Sequence, residues 1–222
     1  MYVTISQETA YQLVPATFSE RKTPLKSLKT GAYLYFEGDD VTHLFIIESG
    51  VVRLTRVLED GRRQVIAFGY PGDIIGFPAC GAHHTDCDAL NDTKLRSIPR
   101  KALDDSSFDS DLHKALVQAA LQEISAMQDH FMMLGRKCAP EKVASFLNVL
   151  LERIGDTSME PPVIDLPMSR SDIADFLGLT TETVCRCLTA LRKAGIIRID
   201  GISKVAILDK SALSQRADGH LN

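Results

Sequence analysis

Residues Ser169 to Ala190, SRSDIADFLGLTTETVCRCLTA, constrain the fold more than any other stretch, because they read as two short helices joined by a glycine turn. Ser169 stands three residues before Asp172, the spacing at which a hydroxyl accepts from an early helical N–H while the acid reaches back to the cap. Thr180 is placed to cap the second helix, and Gly178 supplies the left-handed residue between the two. Ala174 and Gly178 are small and four apart, and Val184 follows six later. That spacing lets the helices cross closely while Val184 buries beneath them, with Ile173, Leu177 and Leu179 as the apolar side of the junction. Counted from Thr180, the residues Thr181, Glu182, Cys185 and Arg186 fall on or near one face of the second helix. None of them is needed for a core. An arginine there can donate two parallel hydrogen bonds to guanine O6 and N7, and a glutamate can accept from a cytosine amino group, so this face suits a G·C-containing site. An ordinary amphipathic helix pair is the competing reading, and the agreement of caps, turn and spacing disfavours it.

The next stretch extends the pattern. Leu191-Arg-Lys-Ala-Gly195 ends the helix in basic residues and a C-cap glycine, and two apolar runs then flank Asp200-Gly201, which predicts a hairpin wing. From Arg186 to Lys204 five Lys and Arg residues stand against one acid, Asp200. Ser169, Arg170, Thr180, Thr183, Arg192, Lys193 and Lys204 are the candidate phosphate contacts. The formal net charge of −4 does not oppose this, because residues 136–222 hold 12 basic and 11 acidic residues against 13 and 18 in the remainder. Counterion release depends on local phosphate contacts rather than on the total.

At 222 residues and 45% hydrophobic, the chain can bury a sizeable core and divide into two modest domains. No apolar run approaches the roughly 20 residues that span a bilayer, and the amino terminus, MYVTISQETA, lacks the pattern of a secretory signal, so a cytoplasmic location with no membrane partner is expected. Five cysteines, an odd number at irregular spacing, favour free thiols or a metal site over a disulfide framework. Between about Gly31 and Leu103 the segments AYLYF, THLFII, VVRLTRVL and RQVIAF alternate in polarity and are separated by Asp-Gly and Ser-Gly turns. This predicts antiparallel hairpins closing into a β-roll or barrel with room for a ligand. From Asp109 to Arg136 the pattern becomes helical, with Val117, Ala120, Ile124, Met127, Phe131 and Leu134 spaced as a heptad seam. Packing of that helix on its own roll competes with pairing to a second copy, and the length without Pro or Gly favours the pair. Two copies would set two reading helices in successive major grooves, roughly 34 to 36 Å apart, on a near-palindromic site. Pro140 opens another helix, Glu141 to Ile154, and Gly155 to Pro162 reads as a loop. The expected fold class is α+β, with a β-roll over 1–106, a dimerisation helix over 107–137 and a winged helix-turn-helix over 138–222.

That order of parts resembles the Crp/Fnr family of transcription regulators over nearly the whole chain. Gly72-Asp-Ile-Ile-Gly76 resembles the family's Gly-Asp-x-x-Gly turn in a cyclic-nucleotide-binding-like roll, and Leu134-Gly-Arg136 resembles its segment before the DNA domain. Leu166 to Arg186 looks like the FixK branch. In Fnr and FixK proteins the reading helix carries Glu-[Thr/Ser]-hydrophobic-Ser-Arg and meets TTGA-type half-sites; here Glu182, Thr183, Val184 and Arg186 match, and Cys185 replaces the serine. The resemblance implies a homodimeric activator that contacts RNA polymerase on TTGA/TCAA-like palindromes.

Departures from the family pattern narrow its type. Cyclic-AMP-binding members carry Gly-Glu-Leu and, at fixed distance, Arg-Ser-Ala, whose arginine neutralises the phosphate; here the equal-length stretch runs Gly76-Phe-Pro to Cys87-Asp-Ala89, which holds no cation and adds Asp88. Fnr holds an iron-sulfur cluster through amino-terminal cysteines, and no cysteine precedes Cys80 here. What remains resembles FixK, a regulator active without a bound cofactor. The string Cys80, His83, His84, Cys87 sits in an expected loop and offers four ligands for zinc or haem iron, although structural zinc sites draw ligand pairs from separate elements. A haem- or metal-gated regulator is therefore the alternative reading, with a solvated polar loop as the plainer one. Cys185 lies beside Arg186 near a helix amino terminus, where a redox role follows from thiolate-favouring surroundings: a sulfinate would set negative charge against DNA. Simple replacement of serine by size is the competing explanation. A cupin-like enzyme would need convergent ligands from several strands, which here offer only His43.

Overall fold

The computed structural model describes residues 24–78 and 80–219, and backbone contacts gather them into two compact units that divide between Met127 and Gln128. In the first unit, strands β1 (Leu25–Leu28), β2 (Tyr33–Tyr35), β3 (His43–Ser49), β4 (Val52–Val57), β5 (Arg63–Gly69), β6 (Ile74–Ile75), β7 (Asp86–Ala89) and β8 (Thr93–Pro99) make two four-stranded antiparallel sheets. Their orders are β1-β8-β3-β6 and β2-β7-β4-β5. The alternating segments account for β2 to β5 because a half-buried strand needs apolar residues on one face only. The turn between β3 and β4 requires glycine twice over: Gly50 has φ +87°, and a Cβ there would lie 2.7 Å from the Asp92 carbonyl oxygen.

The Gly-Asp-Ile-Ile-Gly stretch ties β6 to β3. The buried Asp73 carboxylate accepts from the Tyr70 N–H at 2.8 Å, and its backbone carbonyl accepts from the Ile47 N–H at 3.0 Å. Helices α1 (Lys101–Asp104) and α2 (Ser110–Arg136) follow. Leu44, Ile46, Ile74 and Ile98 of one sheet pack with Ala102, Leu112, Leu116 and Ala119, each large side chain worth roughly 1.5 to 3 kcal/mol when fully buried.

The second unit comprises the end of α2, then α3 (Ala139–Ile154), β9 (Val163–Asp165), α4 (Arg170–Leu177), α5 (Thr181–Lys193), β10 (Ile197–Asp200), β11 (Lys204–Ile207) and α6 (Lys210–Ala217). Phe146 and Leu150 of α3, Ile173, Phe176 and Leu177 of α4, Val184 and Leu188 of α5, and Leu213 of α6 are all buried. His130, near the end of α2, stacks on Phe176 with ring centroids 4.4 Å apart. Burial holds its imidazole down to about 4. α3 begins at Ala139, two residues before the expected Glu141, because Cys138 serves as its cap residue and its N–H donates to the Glu141 carboxylate at 2.7 Å. β9 turns the expected two-stranded wing into a three-stranded sheet of order β10-β11-β9.

On α2 the expected heptad residues divide by face. Leu112, Leu116, Ala119, Ala126 and Met133 are buried in the chain's own units, whereas Val117, Ile124 and Phe131 are 39%, 51% and 66% exposed and Ala120, Met127 and Leu134 form half-buried edges. Leu121, outside the expected seam, is 62% exposed and lies on the same open face.

Candidate nucleic-acid interface

α4 and α5 owe their ends to side chains. The Ser169 hydroxyl accepts from the Asp172 N–H at 3.1 Å while the Asp172 carboxylate accepts from the Ser169 N–H at 3.0 Å, closing a capping box. Gly178 ends α4 at φ +62°, and its turn delivers the Leu179 N–H to the Ala174 carbonyl at 2.9 Å. Thr180 then starts α5, its hydroxyl accepting from the Thr183 N–H at 3.1 Å. Val184 is fully buried under the crossing and Cys187 is buried beside it, so the opposite side of α5 is left for solvent.

That solvent side carries the residues singled out as base readers. Thr181, Glu182, Cys185 and Arg186 are exposed, and the Arg186 guanidinium lies 3.4 Å from the Thr183 hydroxyl through Nη2 and 3.8 Å from the Glu182 carboxylate through Nη1. Cys185 accepts the Thr189 hydroxyl on its carbonyl at 2.8 Å, leaving the thiol outside the helix. Thr180, Arg192, Lys193 and Lys204 are also exposed, and Ser169 stands at the α4 end of the same surface. Arg170 is half-buried: it donates to the Ile202 carbonyl at 3.3 Å, bracing the tip of the wing. Burial draws its guanidinium down, and Cys185 opposes that shift. Ile202 at that tip is 95% exposed, an apolar side chain that nothing in the local sequence pattern singles out.

In the roll, the Cys80 to Cys87 string is dispersed rather than gathered. Cys87 is not in a loop but in β7, fully buried, where burial pushes its thiol up. His83 is buried against Tyr35, the rings stacked at 3.5 Å, and burial lowers its imidazole while Asp39 opposes the shift. His84 lies 3.1 Å from Arg56, and Cys80 is exposed at φ +53°. Among the described residues no group of three or more His, Cys, Asp or Glu side chains is arranged to hold a metal ion.

A cavity of about 370 Å³ opens between Tyr35, Leu54, Ile66, Phe77, Glu123 and Met127, and burial pushes the Glu123 carboxyl up to about 7. The equal-length stretch supplies no cation to it, but β4 does: Arg56 lines the cavity, bound to Glu37 at 2.8 and 3.1 Å. Asp88, expected to stand as a bare repelling charge, is instead paired with Arg53 by two hydrogen bonds of 2.8 and 3.1 Å. A strand-pairing partner 35 residues away leaves no trace in the local sequence.

Residues 25–106 match the family model described as a cyclic nucleotide-binding domain, and residues 141–216 match that described as a Crp-like helix-turn-helix domain. The chain is 37% identical over 185 residues to the nitrogen fixation regulation protein FixK of Rhizobium meliloti, the match covering 83% of each chain. It is 34% identical over 204 residues to the fumarate and nitrate reduction regulatory protein of Escherichia coli, covering 90% of this chain and 80% of that one. Among solved structures, FixK2 from Bradyrhizobium japonicum superposes with a TM-score of 0.78 at 32% identity, covering 87% of this chain and 96% of that chain. No described helix is long and apolar enough to cross a membrane.

Proposed function

The chain belongs to the Crp/Fnr family of DNA-binding transcription regulators and is not an enzyme, and from that premise we propose that it is a cytoplasmic, homodimeric activator that binds TTGA/TCAA-like palindromes without a bound cofactor. The observation that carries the reading is the α5 face, where Glu182 and Arg186 stand exposed one turn apart beyond a doubly capped helix pair. Arg186 donates to guanine and Glu182 accepts from its paired cytosine, with Thr181 and Cys185 against the neighbouring bases. Ser169, Arg170, Thr180, Thr183, Arg192, Lys193 and Lys204 hold the phosphates. The open face of α2, within the dimerisation helix of residues 107–137, meets its own copy, and the 1–106 roll and 138–222 domain flank it. RNA polymerase is the partner at the promoter.

Binding-site selection with purified protein tests this. Arg186→Ala is expected to cost about 1 to 3 kcal/mol and to relax preference at one base pair, whereas Lys193→Ala weakens all sequences alike and lowers the salt slope by roughly one. Unchanged specificity in Arg186→Ala overturns the docking.

Cys185 gives the reading a control point. A thiol on the DNA face that is oxidised by two equivalents of peroxide, first to sulfenate and then to sulfinate with release of water at each step, brings negative charge against the phosphates and ends binding. The haem- or metal-gated alternative rests on Cys80, His83, His84 and Cys87; metal analysis and an absorption spectrum of untagged protein separate it, since a haem-loaded sample shows a Soret band. The contrast among these four side chains, with Cys87 and His83 buried and Cys80 exposed, supports the cofactor-free reading.

A further inference from the structure

Arg186 projects from α5 with most of its length in solvent, and a long side chain of that kind loses rotamer freedom when a base fixes it. Two neighbours reduce what is left to lose. Glu182 approaches one end of the guanidinium, but at 3.8 Å, with both side chains more than two-thirds exposed, it is a screened ion pair rather than a hydrogen bond. On the reading above, Glu182 must also turn to a cytosine when DNA arrives. The other neighbour is the Thr183 hydroxyl, 3.4 Å from Nη2, which no base needs.

The Thr183 hydroxyl is itself fixed. Its oxygen lies 2.8 Å from the Thr180 hydroxyl oxygen, and the Thr180 oxygen already accepts from the Thr183 backbone N–H at 3.1 Å. A guanidinium has donors and no acceptor, so the Thr183 oxygen accepts from Arg186. One threonine hydroxyl donates to the other across 2.8 Å, and either can be the donor. The result is a continuous chain from the Arg186 N–H through the Thr183 oxygen to the Thr180 hydroxyl. One end is the group assigned to base reading and the other stands at the helix cap, the kind of place that receives a phosphate.

We propose that Thr183 is a positioning residue for base readout, holding Arg186 in its reading rotamer through a hydroxyl relay anchored on the helix cap at Thr180. The relay rests on the base-reading role of Arg186 given above. It couples a phosphate contact, which carries no sequence information by itself, to the side chain that does carry it. A neutral hydrogen bond of net 0.5 to 1.5 kcal/mol corresponds to a preference of roughly two- to tenfold.

The experiment measures affinity for two duplexes, one carrying the TTGA/TCAA inverted repeat and one with its G·C pairs exchanged for A·T, and takes the ratio. Thr183→Val keeps the branched shape and removes the hydroxyl; Thr183→Ala, which helices accept readily, does the same should the valine variant fold poorly; Thr183→Ser returns the oxygen. If the hydroxyl also bonds a phosphate directly, its removal weakens both duplexes alike and cancels in the ratio. The ratio is expected to fall roughly two- to tenfold in Thr183→Val and Thr183→Ala and to recover in Thr183→Ser. A ratio that stays at the wild-type value in both variants, while Arg186→Ala collapses it, overturns the relay and leaves base reading intact. A ratio that survives Arg186→Ala overturns the base-reading assignment and the relay with it.

Discussion

Ile124→Asp tests the pairing of α2 most directly. Ile124 stands near the middle of the open face and is half exposed in the single chain, so a partner helix would cover about half of its side chain in each copy. Full burial of an isoleucine is worth roughly 1.5 to 3 kcal/mol, so the two half-burials together contribute about 1.5 to 3 kcal/mol. An aspartate loses that contribution. It also places two carboxylates near the two-fold axis, each desolvated at about 1 to 3 kcal/mol unless it takes up a proton. The loss is then about 4 kcal/mol or more, roughly a thousandfold in the dissociation constant of the dimer. Sedimentation velocity over a concentration series reads it, with circular dichroism confirming that the chain still folds. Because Leu121 is more exposed than Ala120, Leu121→Asp should be nearly as damaging as Ile124→Asp and Ala120→Asp less so. An Ile124→Asp chain that sediments as the wild type does at every concentration refutes the pairing.

Two further outcomes follow from single side chains. His130 takes up its proton near 6.5 when unfolded but only near 4 when folded, so its contribution to stability is complete above pH 6.5 and is lost as pH falls toward 4, on the order of 3 kcal/mol in all. His130→Phe keeps a ring against Phe176 and should flatten that acid slope in denaturant titrations between pH 7 and 4.5; parallel slopes for the two proteins would show that the imidazole is not its source. Peroxide treatment should abolish operator binding by the wild type and spare Cys185→Ser, and equal sensitivity of the two would place the reactive thiol elsewhere, with the exposed Cys80 and Cys138 next to be tested.

What could be read from the sequence was local. The Ser169–Asp172 box, the Thr180 cap and the Gly178 turn each involve residues within four positions of one another, so their spacing alone carried the geometry, and α4 and α5 lie where it put them. β7 escaped notice because its string, Asp-Cys-Asp-Ala, is short and carries no β-branched or aromatic side chain; Asp88 is tolerated in a buried strand only because Arg53 crosses from β4 to meet it. Long-range pairing within the same sheet also kept the sequence from showing that Arg56 lines the cavity and that Cys87 lies in the interior rather than in a loop. On α2 the heptad spacing located the stripe, but the sequence held no signal for which turns the chain's own units would claim. Ala119 and Ala126 are buried and Leu121 is open, the reverse of what residue size suggests. α6 carries too little apolar periodicity to announce itself, and its last carbonyl, on Ala217, is met by Lys137 from beyond α2 at 2.8 Å.

The Arg53–Asp88 pair bears on how such a regulator can be governed. Asp88 already has its counter-ion within the chain, so on the cofactor-free reading the number of copies synthesised stands beside the state of the Cys185 thiol as what a cell adjusts. Below the concentration at which protomers associate, the population of pairs rises with the square of that number. Pairing of protomers thereby makes the response to gene dosage steeper than linear.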